Sequence, residues 1–273
     1  MATALLRSSL NSGEYVMKLL VKNLILVSGF TGLILLFLAT QFTFAAQELK
    51  VGFVQGRGND AAVEEQAFKN AGIEYEVIDK GDYKIDNLLK YDIIAIGVVA
   101  YDKNEPLKDG FKVVNQYVEA GGYLVTVDFQ QDSTWKKDFL PHPLVLLDPD
   151  LEDNVGVTLA DHDIFKKPNK LTDKHFGGGW GNGDFMADGP QEAPKPWLPL
   201  VVDKQNKWPL VVWAKAGKGD VVFNSLQILQ SLGRANKKEV AEVLHNFLFW
   251  RGPRDVDAQD RLSTTWAKLK NGG

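Results

Sequence analysis

The residues of this chain able to do chemistry are four histidines, many carboxylates and a tryptophan set among glycines; there is no cysteine. Asp161 and Asp163 flank His162 ahead of the apolar pair Ile164-Phe165. A buried His–Asp arrangement can act as a general base or hold a divalent ion. The same residues also suit an aspartate-capped turn with the imidazole bonded to backbone. His175 stands five residues before Trp180, beside Gly177-Gly-Gly-Trp-Gly181. Trp180, Asn182 and Asp184 could stack on a sugar face and bond its hydroxyls, or the glycines could serve positive φ angles in a packed loop. His142 lies between prolines and reads as a loop residue. His245 sits beside Leu244 and Phe247, where packing or surface exposure accounts for it.

The carboxylates offer a second chemistry. Asp128 follows an apolar strand-like run and Asp60 opens a helical one. Paired carboxylates hydrolyse glycosides when their separation suits attack and proton donation. A strand-terminal aspartate equally serves as a cap or an arginine partner. The chain has no His-Glu-x-x-His pair, kinase set or serine elbow, and Gly56-Arg-Gly58 lacks the second half of a dinucleotide fingerprint. No catalytic residue, metal or cofactor is therefore assigned. Without a thiol there is no disulfide scaffold, no thiolate metal site and no Cys–His hydrolase.

The elements that must position these groups read as an α/β pattern. Strand-like runs at 49–55, 73–78, 91–98 and 123–127 alternate with helical stretches at 60–70 and 111–119. That alternation predicts a three-layer, doubly wound, mostly parallel sheet covered by helices. Right-handed crossovers then bring 55–58, 97–101 and 128–131 to one carboxyl edge, where such folds bind ligands. From 133 to 208 prolines, glycines and short apolar runs predict a loop-rich insertion over that edge. Regular structure resumes at 197–202, a C-terminal hairpin follows with strands at 209–214 and 220–224 joined through Lys215-Ala-Gly-Lys-Gly219, and a helix over 238–250 closes the domain. The domain is assigned to 46–251 and a polar tail to 252–273.

Residues 1–45 read as a leader. An uncharged apolar run between Asn23 and Gln41 follows Lys18 and Lys22, and small residues near Ala45 and Ala46 resemble a signal-peptidase site. The run is also close to the length that spans a bilayer. The expectation is export to a periplasm or cell envelope, with cleavage or with residues 22–41 kept as an anchor; the lysines stay cytoplasmic in either case. The chain has 31 basic and 35 acidic residues, and the leader holds three and one of them, leaving 28 against 34, or −6, beyond it. That balance argues against nucleic acid as a partner. Lys166, Lys167 and Lys170 then read as a solvated rim.

The chain from Leu49 to Trp250 resembles the glutamine-amidotransferase-like superfamily. The broad features are Lys50-Val-Gly-Phe-Val54, Tyr91-Asp-Ile-Ile-Ala-Ile-Gly97 and Tyr117-Val-Glu-Ala-Gly-Gly-Tyr-Leu-Val125; more distinctive are His162-Asp-Ile-Phe-Lys-Lys-Pro-Asn-Lys170, Asp173-Lys-His-Phe176 and Ala216-Gly-Lys-Gly-Asp-Val-Val-Phe223. It looks closest to the non-hydrolytic branch near ThuA-like proteins and to the domain appended to some exported PIG-L-type deacetylases. The resemblance implies a flavodoxin-like fold. Catalytic members place a cysteine on a tight turn after the strand that here ends near Val127, with a later histidine to activate it. This chain reads Val127-Asp-Phe-Gln-Gln131 instead, so glutaminase activity is not expected. The superfamily's links to sugar utilisation make a glycan the preferred ligand class.

Three functions follow as expectations. The first is an exported, non-enzymatic domain binding a glycan, small polar metabolite or protein partner at the carboxyl edge. Its candidate contacts are Gln55, Arg57, Tyr101, Asp128, Gln130, His162, His175 and Trp180. The second is a hydrolase or sugar-modifying enzyme using Asp128 with His162 or His175. The third is a structural subunit of an envelope complex.

Overall fold

The computed structural model describes residues 49–252 apart from 57, 59, 148–150, 153–155, 177–183 and 187–188. Its strands are β1 (Val51–Val54), β2 (Glu76–Val77), β3 (Ile93–Ile96), β4 (Tyr123–Thr126), β5 (Leu151–Glu152), β6 (Val157–Leu159), β7 (Asp184–Met186), β8 (Leu198–Asp203), β9 (Pro209–Ala216) and β10 (Gly219–Asn224). The helices are α1 (Asp60–Ala71), α2 (Ile85–Leu88), α3 (Ala100–Lys103), α4 (Glu105–Glu119), α5 (Ile228–Ala235) and α6 (Lys238–Phe249). Eight strands form one sheet in the order β2-β1-β3-β4-β10-β9-β8-β6, while β5 and β7 pair separately. The pairs from β2 across to β10 are parallel and those from β10 to β6 antiparallel. The expected doubly wound α/β fold is the fold observed.

The sequence explains the layering. Every residue of β1, β3 and β4 is buried, because helices cover both faces and neither face needs polar side chains. Successive residues of β1 point to opposite cores. Phe53 packs on Phe68 of α1 and shares its core with Leu229 of α5 and Phe247 of α6, whereas Val54 belongs to the core that holds Leu88 of α2, Tyr101 of α3 and Val114 of α4. Asn104 starts α4: its Oδ1 accepts the amide of Leu107, and its Nδ2 donates to the carbonyl of Gln55. One residue thus caps a helix and ties it to the end of β1.

The structure departs from the sequence expectation in four places. The strand expected over 73–78 shrinks to β2, both of whose residues are exposed at the sheet edge. The Ile73 amide closes onto the Phe68 carbonyl, and the Tyr75 ring packs on Phe53 and Phe68. Helix α4 begins before Phe111, and α5 is an element the sequence pattern does not announce. Segment 133–208 is more than a loop cover, since β6 joins the main sheet beside β8, the strand expected at 197–202. Among the described residues no helix is long and apolar enough to cross a membrane, and the 23–41 run lies outside them.

Buried Asp220 fixes the amino end of β10. It receives Lys215 Nζ at 2.9 Å, Arg251 Nε at 2.9 Å and Trp213 Nε1 at 3.0 Å. Arg251 also reaches the carbonyls of Gly121 and Gly122, so the end of α6 is tied to the start of β4. Asp220→Ala is expected to destabilise the fold by about 1–3 kcal/mol, the range for charge-assisted hydrogen bonds. Lys215 is well exposed and can rehydrate, whereas Arg251 is mostly buried and would lose its carboxylate while keeping the Gly121 and Gly122 carbonyls, which puts the cost toward the upper end of that range. Urea unfolding of wild type and variant checks this.

Candidate functional site

The strand order reverses between β1 and β3, which places the crevice that open α/β sheets use for ligands at the carboxyl ends of those two strands. Here a side chain of the protein fills it. Glu64, fully buried, projects from α1 into the gap. Its Oε1 accepts the Val98 amide at 2.6 Å, and its Oε1 and Oε2 share the Gly56 amide at 3.2 and 3.0 Å. A Cβ on Gly97 would lie 2.1 Å from Oε1, and one on Gly56 would lie 2.4 Å from the Val98 carbonyl. Glycine is therefore required at both strand ends if the carboxyl group is to reach the backbone. Burial pushes Glu64 up to about 8; the amides of Val98 and Gly56 oppose that shift, and the negative charges of Asp128 and Asp60 add to it.

Asp128 sits beyond the end of β4, also fully buried. Its Oδ1 accepts the Phe129 amide at 2.8 Å and its Oδ2 the Gln230 amide at 2.9 Å, which caps the first turn of α5 across the chain. Burial raises it to about 7, against the opposing pull of the Gln230, Phe129 and Leu229 amides. No helix follows Asp128 directly; the chain runs into a short 3-10 turn at Asp132–Thr134. The turn from Val127 to Gln130 has no left-handed residue. That conformation appears one strand over, at Val99, with φ 42° and ψ 34°. It is costly for a β-branched side chain. Val99 is held there by its own amide, bonded to the Phe129 carbonyl, and by the amides of Asp102 and Lys103 on its carbonyl.

Gln130 completes the edge. Its Nε2 donates to the Gly97 carbonyl at 2.9 Å and its Oε1 accepts the Tyr101 amide at 3.3 Å. Tyr101 is buried with its ring stacked on Phe139 at 4.8 Å and edge-on to Trp135. Thus 55–56, 97–101 and 128–130 meet at one end of the sheet, as the strand pattern predicts. The side chains of Tyr101, Asp128 and Gln130 lie inside it, while Gln55, Phe129 and Gln131 remain partly exposed. Arg57 and Trp180 lie outside the described residues.

The histidines stand apart from Asp128. The half-buried His162 accepts the Ile164 amide on Nδ1 and packs its ring against Trp213 and Trp250 at 5.1 and 4.8 Å. Trp250 in turn meets Tyr123, the first residue of β4, so His162 belongs to the amino end of the sheet. Burial lowers its pKa below the ordinary imidazole value. A pairing of Asp128 with His162 is not formed, because the two occupy opposite ends of β4. His175 faces α6: its Nε2 lies 3.2 Å from Glu242 Oε2, and its Nδ1 accepts the Thr172 amide. Glu64 is the residue that sequence reasoning misses. Its signal is present, since Glu64, Ala67 and Phe68 share one face of α1 and a glycine ends each strand opposite.

No protein-family model matches the chain, and no curated protein does. Among solved structures, a cytoplasmic protein from Salmonella typhimurium is similar at 14% identity and TM-score 0.50, over 76% of this chain and all of that one. A putative GMP synthase component from Thermoplasma acidophilum aligns at 9% identity and TM-score 0.47, covering 82% of this chain and 98% of that one. An exo-β-1,4-mannosidase from Opitutaceae bacterium strain TAV5 aligns at 12% and TM-score 0.47, over 77% of this chain and 37% of the enzyme. At these identities the likeness is one of fold.

The two carboxyl groups give the fold a signed pH dependence. Both have native values above their ordinary ones, so the folded state holds more protons than the unfolded chain in the interval between. Their contribution is fully present below about pH 4 and is lost as pH rises toward 8. Urea midpoints measured from pH 5 to 9 should fall across that interval in wild type and fall less in Asp128→Asn; parallel profiles would contradict the assignment.

Proposed function

We propose that this chain is an exported, non-enzymatic amidotransferase-like domain, of the branch near ThuA-like proteins, that binds a glycan, small polar metabolite or protein partner at the carboxyl edge of its sheet. One observation carries the reading. The place where catalytic relatives would hold a nucleophile contains Asp128 and Gln130, both buried and bonded to backbone amides and carbonyls. A group that performs nucleophilic attack needs access and an adjacent base. Asp128 has instead a neighbouring acid, Glu64.

Binding is supported by the surface just outside that edge. Gln55, Phe129 and Gln131 are partly exposed there and offer an apolar ring beside two amide side chains. Arg57 and Trp180 are the further candidates, Trp180 as an indole for sugar stacking. A glycan is preferred on the family resemblance alone. Export rests on the basic flank, the apolar run and the small residues at 45–46.

A second reading has its own support. An edge whose polar groups are satisfied internally also suits a structural subunit of an envelope complex, with the sheet end as scaffold and its outer surface as contact. A glycan-array and metabolite screen on residues 46–273, paired with co-purification from the envelope fraction, separates the two. The binding reading expects a ligand whose affinity drops by roughly 1–3 kcal/mol in Trp180→Ala, as for a buried aromatic anchor. A ligand indifferent to both Trp180→Ala and Asp128→Asn would place the site elsewhere. A stable envelope partner with no small ligand would favour the scaffold. Glutamine hydrolysis by the purified domain would overturn both.

A further inference from the structure

The group that fills the crevice between β1 and β3 is chemically informative. Two backbone amides, those of Gly56 and Val98, converge on one carboxyl group, and the glycines at 56 and 97 leave room for its oxygens. Converging amides next to glycine are how a backbone takes up an anion, because the N–H dipoles point inward and no Cβ stands in the way. In this chain the anion-sized object in the cradle is the protein's own side chain.

From this we infer that the Gly56–Val98 amide pair is a cradle for a carboxylate-sized anionic group, and that Glu64 is a built-in plug which an anionic ligand would replace. The inference rests on reading the carboxyl edge as a binding site, and it names the class of ligand: one carrying a carboxylate or a group of similar size and charge. Three features favour a removable plug over a permanent strut. Among the described residues Glu64 is held by these two amides and forms no ion pair. Its neighbours of like sign, Asp128 beyond β4 and Asp60 at the head of α1, make its charged form unwelcome in place. Lys103 of α3 is itself engaged by Asp60, at 2.8 Å. A ligand that brought its own counter-charge to the cradle, with Glu64 turned to solvent, would relieve this repulsion.

The arrangement also accounts for a residue that packing alone would not choose. Glu64 lies on the same face of α1 as Ala67 and Phe68, both in the core. An apolar residue there would leave the amides of Gly56 and Val98 buried without that acceptor, which is destabilising. Something must accept them, and in the unliganded chain Glu64 does.

The test is chemical rescue with acetate as the probe. Glu64→Ala should melt below wild type, and sodium acetate should raise its melting temperature with a saturable concentration dependence, as mass action requires of a ligand that binds the folded state. Sodium chloride at equal ionic strength should not. Wild type, and Glu64→Gln with an amide still in the gap, should respond to the two salts alike. If Glu64→Ala fails to fold in chloride, recovery of its circular dichroism and cooperative melting in acetate supports the cradle, and failure to recover overturns it. Equal effects of acetate and chloride on Glu64→Ala would also overturn it. The acetate result reports on the cradle itself, whereas an empty glycan and metabolite screen bears on the edge as a binding surface, so each can fail without the other.

Discussion

The carboxyl end of this fold is organised by one buried side chain. Glu64 inserts an acid between the ends of two parallel strands, where water is excluded. Removing a carboxylate from water costs several kcal/mol even after relaxation, and that cost must be met locally. The local answer is backbone: the Val98 and Gly56 amides on its oxygens. Much of the surrounding sequence follows from this. Gly97 cannot carry a Cβ, the turn after β3 must present the Val98 amide, and the next residue, Val99, takes a left-handed conformation that a β-branched side chain resists. Helix α1 must lie close enough for Glu64 to reach. Gly233 lets α5 pack tightly beside it, since a Cβ there would fall 2.3 Å from the Val63 carbonyl.

The two ends of the sheet solve the same electrostatic problem in different ways. At the amino end Asp220 is equally buried but meets two cations and an indole N–H, so its charge is matched by charge. At the carboxyl end Glu64 and Asp128 are matched by amide dipoles, while the negative charges of Asp128 and Asp60 bear on Glu64 and that of Asp60 on Asp128. Dipoles of the backbone are fixed and cannot follow a charge that moves, whereas Arg251 and Lys215 can adjust. The amino end therefore behaves as an anchor, holding α6 against β4 and β10. The carboxyl end is the part of the molecule whose protonation is coupled to its packing. His162, with Trp213 and Trp250 around it, belongs to the anchor, which is why its flanking aspartates do not become a catalytic set: Asp161 and Asp163 pair with Lys166 and Lys167 in solvent.

The strands are legible in the sequence because burial on both faces leaves unbroken apolar runs, and Ile93–Ile96 can be nothing else in so short a stretch between turns. The convergence of 55–56, 97–101 and 128–130 follows from parallel pairing alone. The edge strand β2 is shorter than its sequence suggests because Ile73 and Ile78 look like strand residues, yet Ile73 serves the end of α1 while Ile78 belongs to the opposite core. Helix α5 escapes a sequence reading because its eight residues follow the hairpin without a side-chain cap of their own; the cap comes from Asp128, about a hundred positions earlier, which no local pattern reveals. The site is hidden for a related reason. The strand-end position of Asp128 allows it to face a ligand, but its oxygens are turned inward to α5.

These observations bear on how a domain of this kind could bind without catalysing. A nucleophile needs an exposed atom at the end of a tight turn, and the turn after β4 supplies instead an aspartate bonded into the fold. What the edge presents is convergent amides, glycine walls and a partly exposed rim of Gln55, Phe129 and Gln131, the features on which the proposed binding role rests. If a ligand anion enters the cradle, Glu64 passes from a dry gap, where it is held up to about 8, to water, where a glutamate ionises near 4.5. At neutral pH the displaced side chain gives up most of a proton, so a ligand that brings its own counter-charge and stays ionised in the cradle binds more strongly as pH rises through the interval between those values. The direction is opposite to that of a simple salt bridge formed by a protonated histidine, which weakens as pH rises. The same proton that stabilises the closed edge thus opposes its opening, and the domain's affinity and its stability respond to pH with opposite signs.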